Sequence, residues 1–178
     1  MVTQYPQSIC IKPEIMTYAK EYQLSLANQE AYWMEQAAAI NWFTKPVKGL
    51  STDENGLNHW FMGGQLNTCY LALDHQVANG RADQIALIYD SPVTGKKAQY
   101  TYRTLLEETA RLAGVLKERG IEKGDRVIIY MPMLPQVVFA MLACARIGAV
   151  HSVVFGGFAA NELAIRIDDA KPKLLLAA

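Results

Sequence analysis

Hydrophobic residues in the first part of the chain are spaced as they are in α-helices. Tyr18 and Tyr22 are four residues apart, which places both side chains on one face of a helix. Asn28 is a residue type that caps helix N-termini, and it precedes a second helical pattern over residues 29–40. Residues 12–42 are therefore predicted to form two short helices.

The next two segments show no regular spacing of hydrophobic residues. Residues 45–58 are rich in turn-forming residue types, which predicts an irregular surface loop. Residues 60–67 place large aromatic side chains directly before Gly63 and Gly64. We expect a tight turn at these glycines, with aromatic rings that pack against a neighbouring domain.

Strand and helix patterns alternate after residue 71. The predicted helices cover residues 73–78, 102–119, 135–147 and 161–170, and the predicted strands cover residues 85–89, 99–102, 126–131, 150–155 and 174–178. Turn-forming residues at 91–95 join the first two strands into a hairpin. The later strands are separated by helices, and repeated βαβ units predict parallel strands with right-handed crossovers. This part of the chain is thus predicted to open a doubly wound, largely parallel α/β sheet.

The last predicted strand, residues 174–178, is hydrophobic throughout and is followed by no polar segment. An open apolar edge strand invites pairing with other chains. We therefore expect the sheet to be incomplete and the chain to be a truncated part of a larger protein. The isolated chain is expected to expose a large apolar patch and to self-associate.

Composition and charge narrow the class of protein. Apolar residues make up 51% and charged residues 19% of the chain, which predicts a packed globular protein. Seventeen basic residues balance seventeen acidic ones without forming a charged block, so no nucleic-acid partner is expected. Residues 1–11 lack the pattern of a signal peptide, and no hydrophobic run is long enough to cross a bilayer. We expect a cytoplasmic protein without a membrane partner.

Familiar motifs for metal, phosphate and nucleophilic chemistry are absent from the sequence. Cys10, Cys69 and Cys144 are too far apart for a zinc site or a redox dithiol, so reduced structural thiols are expected. The sequence around Gly95 and Lys96 resembles the end of a phosphate-binding loop but lacks its first glycine and its hydroxyl residue, which favours a hairpin turn. The histidines are widely separated, and no metal site is expected.

One glycine pair follows a predicted strand directly. Phe155, Gly156, Gly157 and Phe158 come after residues 150–155, which we predict to be a central strand of the sheet. Open α/β sheets bind ligands at the carboxyl ends of their strands. Two glycines expose backbone N–H groups and allow a thin ligand to come close. A tight turn that needs positive φ is the alternative interpretation, and the residues alone favour this alternative.

Several segments of the sequence resemble a known enzyme family. Residues 129–133 (IYMPM) and 141–158 (MLACARIGAVHSVVFGGF) are similar to the acetyl- and propionyl-CoA synthetases almost throughout. Residues 124–127 (GDRV) resemble the wider adenylate-forming superfamily. Residues 60–67, with Tyr32 and Trp33 upstream, resemble the N-terminal extension of the short-chain synthetases.

This resemblance implies a division of the chain and a fold. Residues 1–72 would form the N-terminal extension of an acyl-CoA synthetase, which is helical. Residues 73–178 would form the start of the AMP-binding, adenylate-forming domain. The resemblance also implies that the catalytic residues lie downstream of Ala178, so that the chain alone is expected to be inactive.

The resemblance further implies a reaction for the parent protein. Its substrates would be a short-chain carboxylate, ATP with Mg²⁺, and CoA, and none of them is expected to bind this chain tightly. Residues 41–43, 91–94 and 171–173 look more like the propionate enzymes than the acetate enzymes. In the family the F-G-G-F turn lies against CoA, which assigns Phe155, Gly156 and Gly157 to the coenzyme. The expected partners are thus small molecules and the rest of the parent chain.

Two other functions remain open on the sequence. The same fold could serve as a non-catalytic module that binds CoA or another protein. A generic dinucleotide-binding domain is a further possibility, but the sequence lacks the glycine-rich fingerprint that such a domain carries.

Overall fold

The computed structural model describes residues 17–157 and 159–178 of the chain. Cys10, Phe158 and the predicted helical residues before position 17 lie outside the described residues. The chain divides into two compact units, Met1–Gln65 and Leu66–Ala178, which we call the N-terminal unit and the sheet unit. Mixed helices and strands with a parallel sheet confirm the predicted α/β class.

The N-terminal unit begins with the two predicted helices, α1 (Tyr18–Ala27) and α2 (Gln29–Ala37). The Asn28 side chain accepts a hydrogen bond from the backbone N–H of Ala31 at 3.1 Å, so the predicted cap is confirmed. Helix α2 ends at Ala37 rather than at residue 40. The indole N–H of Trp42 donates to the Ala37 carbonyl at 2.8 Å, which satisfies a carbonyl at the end of the helix.

The predicted loop at residues 45–58 and the turn at residues 60–67 are partly wrong. The structure has a β-hairpin there, formed by the antiparallel strands β1 (Lys48–Thr52) and β2 (Asn58–Met62). Among the turn-forming residues, Asp53, Asn55 and Gly56 lie at the tip of the hairpin, whereas Gly49, Ser51 and Thr52 lie within β1. The carboxylate of Asp53 accepts hydrogen bonds at the tip from the backbone N–H groups of Asn55 and Leu57, both at 2.9 Å.

Packing on a helix explains why these irregular residues form strands. A Cβ atom on Gly49 would lie 2.9 Å from the carbonyl oxygen of Glu30, so the missing side chain lets β1 lie directly on α2. Gly63 follows β2 with φ +76°, and a Cβ atom on Gly64 would lie 2.8 Å from the ring of Trp42. The predicted turn at this glycine pair therefore exists, and Trp42 of the same unit packs against it.

The sheet unit starts with helical residues and a hairpin. A first π-helical turn, Tyr70–Asp74, and a second helical segment, Val77–Arg81, lie where a short helix is predicted over residues 73–78. The second segment is interrupted by non-helical backbone at Asn79 and Gly80. The predicted hairpin is confirmed by β3 (Ile85–Asp90) and β4 (Lys97–Thr101), which pair antiparallel. The next helix, α3 (Tyr102–Glu118), begins after Thr101, whose hydroxyl accepts a hydrogen bond from the N–H of Thr104 at 3.2 Å.

Three parallel strands form the sheet in the order β6-β5-β7. They are β5 (Arg126–Met131), β6 (Val150–Phe155) and β7 (Leu174–Ala177), connected by α4 (Pro135–Ile147) and α5 (Ala160–Ala170). The prediction of parallel strands is confirmed. The prediction that β6 is central is wrong for the described residues, because the chain returns from β6 to the opposite side of β5. Strand β5 is the central one, and β6 lies at an edge.

The core of the sheet unit lies between β5 and the helices α3 and α4. Val127 and Ile129 of β5 are completely buried. They pack with the buried residues Ala113, Leu116, Ile121, Val137, Ala140, Ala143, Cys144 and Ala149. Helix α4 begins with Pro135 and ends before Gly148, which has φ +75°. These two residues fix both ends of the helix that connects β5 to β6.

A polar cluster joins the first π-helical turn to the end of α4. The Arg146 guanidinium donates two parallel hydrogen bonds to the Asp74 carboxylate, at 2.7 and 2.9 Å. The side-chain amide of Asn67 donates to the carbonyls of Ala145 and Arg146 at 3.0 and 3.1 Å, and its oxygen accepts from the N–H of Tyr70. We call these contacts the α4 clamp. They give Asn67 and Arg146, both within segments that carry the family resemblance, a structural role.

Replacement of Arg146 by Lys tests the clamp. Lysine keeps the positive charge but cannot form two parallel N–H bonds to a carboxylate. The side chains of this pair are 31% and 25% exposed, so water compensates only in part. We expect Arg146→Lys to lower the free energy of unfolding by about 1–2 kcal/mol, measured by urea denaturation.

Arg111→Lys is the matched control for this experiment. Arg111 pairs with Glu108 at 2.6 Å, but its side chain is 67% exposed. Its replacement should change stability by no more than about 0.5 kcal/mol. Equal losses in the two variants would contradict a special role for the clamp.

Candidate functional site

The carboxyl ends of β5 and β6 lie side by side. We call this end of the parallel strands the carboxyl edge of the sheet, and the opposite end the amino edge. Met131 and Phe155 are direct partners in the register of the two strands. The residues that follow them, 132–134 and 156–157, therefore leave the sheet next to each other. The sequence-predicted residues Phe155, Gly156 and Gly157 form one continuous turn at this edge, which we call the glycine turn.

Gly156 is required by a backbone contact. A Cβ atom at this position would lie 2.8 Å from the nitrogen of Pro132 and 2.9 Å from the carbonyl carbon of Met131. Neither Gly156 nor Gly157 has φ in the left-handed region, so the alternative of a turn that needs positive φ is wrong. The glycine is needed for a close approach to the end of β5.

Gly157 has a different environment. A Cβ atom on it would lie 2.8 Å from Cε1 of Phe155 and would meet no backbone atom that close. The atom it would meet belongs to a side chain that is 55% exposed. The glycine turn thus presents an exposed aromatic ring and a backbone without side chains at a strand end, where open α/β sheets bind ligands.

A cleft lies beside the glycine turn. It has a volume of about 290 Å³ and is lined by residues 89–94, from the end of β3 and the β3–β4 turn, and by residues 132–134. We call it the edge cleft. Sequence reasoning predicted a turn at residues 91–95 and left residues 132–134 between a strand and a helix, but it did not bring the two segments together. The one sequence feature that pointed to this cleft was Val93, an apolar residue within a predicted turn. In the structure its side chain is 92% exposed.

The G-D-R-V motif, residues 124–127, lies at the amino ends of the strands, the amino edge of the sheet, and forms structural contacts. The Asp125 carboxylate accepts hydrogen bonds from Lys173 Nζ and the N–H of Glu122, both at 2.8 Å. The bond from Lys173 is the main reason that the pKa of Asp125 lies below its ordinary value. Arg126 Nε donates to the carbonyl of Ala170 at 2.9 Å, at the end of α5. These contacts connect the amino ends of β5 and β7.

The thiols of Cys69 and Cys144 are free and completely buried. Burial raises the pKa of Cys144 to about 11 and also raises the pKa of Cys69, so both are protonated at neutral pH. Protonated thiols inside a core are poor nucleophiles, which agrees with the structural role predicted for them. Cys10 lies outside the described residues.

The remaining polar candidates are part of hairpins. Gly95 has φ +66° and its N–H donates to the Ser91 carbonyl at 2.8 Å, so the resemblance to a phosphate loop reflects a hairpin turn, as predicted. His59 contacts the Asp53 carboxylate at 2.9 Å beside the tip of the first hairpin. Within residues 17–157 and 159–178, no group of three or more His, Cys, Asp or Glu side chains could hold a metal ion.

Comparison with models of protein families matches both parts of the chain. Residues 73–178 match the family described as AMP-binding enzyme. Residues 18–72 match the family described as acetyl-coenzyme A synthetase N-terminus. In the described part of the chain, no helix combines the length and hydropathy needed to cross a bilayer.

Curated proteins with similar sequences include short-chain acyl-CoA synthetases and acetyl-CoA synthetases. The chain is 50% identical over 161 residues to the bovine "Acyl-CoA synthetase short-chain family member 3, mitochondrial", covering 90% of this chain and 24% of the relative. It is 47% identical over 164 residues to "Acetyl-coenzyme A synthetase 2" of Pseudomonas aeruginosa, covering 90% and 25%. An uncharacterized protein of the same bacterium is 58% identical over 163 residues, covering 92% and 26%. The chain spans about a quarter of the length of these relatives.

Alanine substitutions distinguish the two glycines of the turn. Gly156→Ala places a methyl group against backbone atoms of β5, so we expect the free energy of unfolding to fall by about 1–3 kcal/mol. Gly157→Ala meets only a movable ring and should change stability by less than about 0.5 kcal/mol. Thermal and urea denaturation measure both values. A larger loss for Gly157→Ala than for Gly156→Ala would contradict the described contacts.

Proposed function

The chain belongs to the AMP-binding enzyme family, and from this we propose that the full protein is an acid–thiol ligase. It joins a short-chain carboxylate to CoA and converts ATP to AMP and pyrophosphate. Two observations support this activity. The family match covers residues 73–178, and the names of the relatives are those of acetyl- and short-chain acyl-CoA synthetases. The match of residues 18–72 to the N-terminal segment of acetyl-CoA synthetases supports a short acyl substrate.

The proposed reaction has two steps. A carboxylate oxygen attacks the α-phosphorus of ATP, pyrophosphate leaves, and an acyl-adenylate forms. The sulfur of CoA then attacks the acyl carbon, AMP leaves, and the thiol proton is lost to solvent or a base. Magnesium would accompany ATP in the first step and neutralise phosphate charge. The resemblance places the phosphate loop, the ribose-binding acid and the catalytic lysine downstream of Ala178, so we propose that residues 1–178 alone are inactive.

The glycine turn carries our assignment of the CoA site. Phe155 offers an exposed ring, and Gly157 offers exposed backbone next to that ring. Gly156 packs on the end of β5 and thereby fixes the position of this backbone. We propose that Phe155, Gly156 and Gly157 form one wall of the CoA site, at the strand ends where such sheets bind ligands. The resemblance supplies the identity of the ligand, and the exposed backbone supports it.

We propose propionate as the carboxylate and the cytoplasm as the location. The propionate assignment depends on residues 41–43, 91–94 and 171–173. In the structure the last of these segments contacts Asp125 through Lys173, so it supports the amino edge of the sheet rather than a substrate pocket. The relatives include both bacterial proteins and a bovine protein whose name includes "mitochondrial". Fractionation of cells of the source organism would test the location.

Measurement of pyrophosphate release with acetate, propionate and butyrate tests the reaction. We expect the full protein to have the highest kcat/KM with propionate, by a factor of about ten or more over its neighbours, since one methylene is worth that much. Residues 1–178 expressed alone should release no pyrophosphate. Equal values for the three acids would contradict the propionate assignment and leave the ligase class intact. Absence of release with every acid would contradict the ligase class.

Gly157→Ala in the full protein tests the CoA wall. A methyl group on Gly157 would displace the Phe155 ring, which forms part of the proposed wall. We expect this change to raise the KM for CoA by about tenfold, which corresponds to about 1.4 kcal/mol of lost binding. The KM values for ATP and the carboxylate should not change. Gly114→Ala is the control, because a Cβ at that position in α3 would meet no atom within 4 Å apart from its chain neighbours and the nearby backbone of its own helix. An unchanged KM for CoA in Gly157→Ala would overturn the site assignment.

A further inference from the structure

The chain contains two Asn-Gly pairs, Asn55 with Gly56 and Asn79 with Gly80. An asparagine before a glycine can lose its side-chain amide without an enzyme, because glycine has no side chain that shields its own backbone nitrogen. Both pairs are exposed, and both glycines have positive φ, +79° at Gly56 and +81° at Gly80. The pairs are thus alike in sequence and exposure, and a difference in their reactivity must come from local contacts.

The first pair lies at the tip of the β1–β2 hairpin, and its asparagine side chain is not held. The backbone N–H of Asn55 donates to the Asp53 carboxylate at 2.9 Å, but within the described part of the chain its side-chain amide has no hydrogen-bond partner. A Cβ on Gly56 would meet nothing within 4 Å apart from its chain neighbours. No described contact therefore opposes the approach of the Asn55 side-chain carbon to the Gly56 nitrogen.

One backbone hydrogen bond must open before this pair can react. The Gly56 N–H donates to the Asp53 carbonyl at 3.1 Å, which closes the turn at the tip. Local opening costs least in exposed loops and most in the core of a protein. We therefore expect this bond to slow the reaction only slightly.

The second pair is arranged differently. The side-chain amide of Asn79 donates to the His75 carbonyl at 2.6 Å. The pair lies within the helical segment Val77–Arg81, and Ala82 directly after that segment is buried. The Asn79 side chain must give up its hydrogen bond before its carbon can reach the Gly80 nitrogen. This contact therefore protects the second pair.

We propose that Asn55 is a site of spontaneous deamidation and that the bond to His75 protects Asn79. The Gly56 nitrogen attacks the side-chain carbonyl carbon of Asn55. A carbon–nitrogen bond forms, the bond to the side-chain nitrogen breaks, and that nitrogen leaves as ammonia with the proton of the Gly56 N–H. Water then opens the five-membered imide at either carbonyl and leaves an aspartate or an isoaspartate at position 55. This inference does not depend on the proposed function.

An isoaspartate at position 55 would disturb the hairpin tip, because it adds one carbon atom to the main chain before Gly56. Asp53 and Leu57 close the tip through two hydrogen bonds. The N–H of Asp53 donates to the Leu57 carbonyl, and the Asp53 carboxylate accepts from the Leu57 N–H, both at 2.9 Å. A longer main chain changes the span that these bonds close. We therefore expect faster amide hydrogen exchange at Asp53 and Leu57 in the modified protein.

Incubation of the full protein at neutral pH, followed by peptide mapping with mass spectrometry, tests this site. We expect position 55 to convert about five- to tenfold faster than position 79, because one hydrogen bond contributes about that factor and holds only the Asn79 side chain. Hydrogen exchange of the aged sample should show the faster exchange at Asp53 and Leu57. Conversion at position 79 that equals or exceeds conversion at position 55 would overturn the inference.

The same protein unfolded in urea is the matched control, since it keeps both Asn-Gly sequences and loses the contacts. The two rates should become nearly equal there. A difference that persists unchanged in urea would show that the described contacts are not its cause and would also overturn the inference. Asn55→Gln should remove the signal at position 55, because a longer side chain forms the cyclic imide poorly. It keeps the backbone N–H that bonds Asp53, so thermal stability should not change.

Discussion

The parallel pairing of β5 with strands on both sides determines where every candidate residue lies. Val127 pairs with His151 on one side and with Leu174 on the other, and its side chain is completely buried. Val127 and Ile129 pack on α3 and α4, and the equally buried Ile128 lies on the opposite face, so a shift of one residue would exchange the two faces and disrupt the packing of both. The register is therefore fixed by the core. Because it is fixed, Met131 and Phe155 end their strands together, and the glycine turn meets Pro132.

The two edges of the sheet have different chemistry as a result. At the amino edge, Asp125, Arg126 and Lys173 form hydrogen bonds that connect strand and helix ends. At the carboxyl edge, the side chains are mostly apolar, and several remain exposed. The sequence resemblance includes residues from both edges, but those at the amino edge hold strand and helix ends together. Similarity of a segment to an enzyme family thus does not by itself make its residues part of a binding site.

Much of the sheet unit could be predicted because its signals are local. Pro135 and Gly148 mark the two ends of α4, a continuous apolar run marks β5, and the bounds of β5 and β6 match the prediction. The hairpin of β1 and β2 could not be predicted, since its strands are short and depend on the contact of Gly49 with α2. The order of the strands in the sheet could not be predicted from the sequence, because residue spacing does not show on which side of β5 the chain places β7. The need for glycine at position 156 could not be predicted either, because the atom that excludes a side chain there belongs to Pro132, 24 positions earlier in the chain.

The α4 clamp has a practical meaning for how the protein can be divided. The AMP-binding match begins at residue 73, whereas the compact sheet unit begins at Leu66. The intervening stretch contains Asn67, which binds the last carbonyls of α4, and the completely buried Cys69. A domain excised at the sequence-family limit would lose these groups and leave a hole in its interior. A domain that starts at Leu66 would keep the hydrogen bonds of Asn67 to the last carbonyls of α4. These hydrogen bonds, and not the limit of the family match, therefore define the better N-terminal boundary.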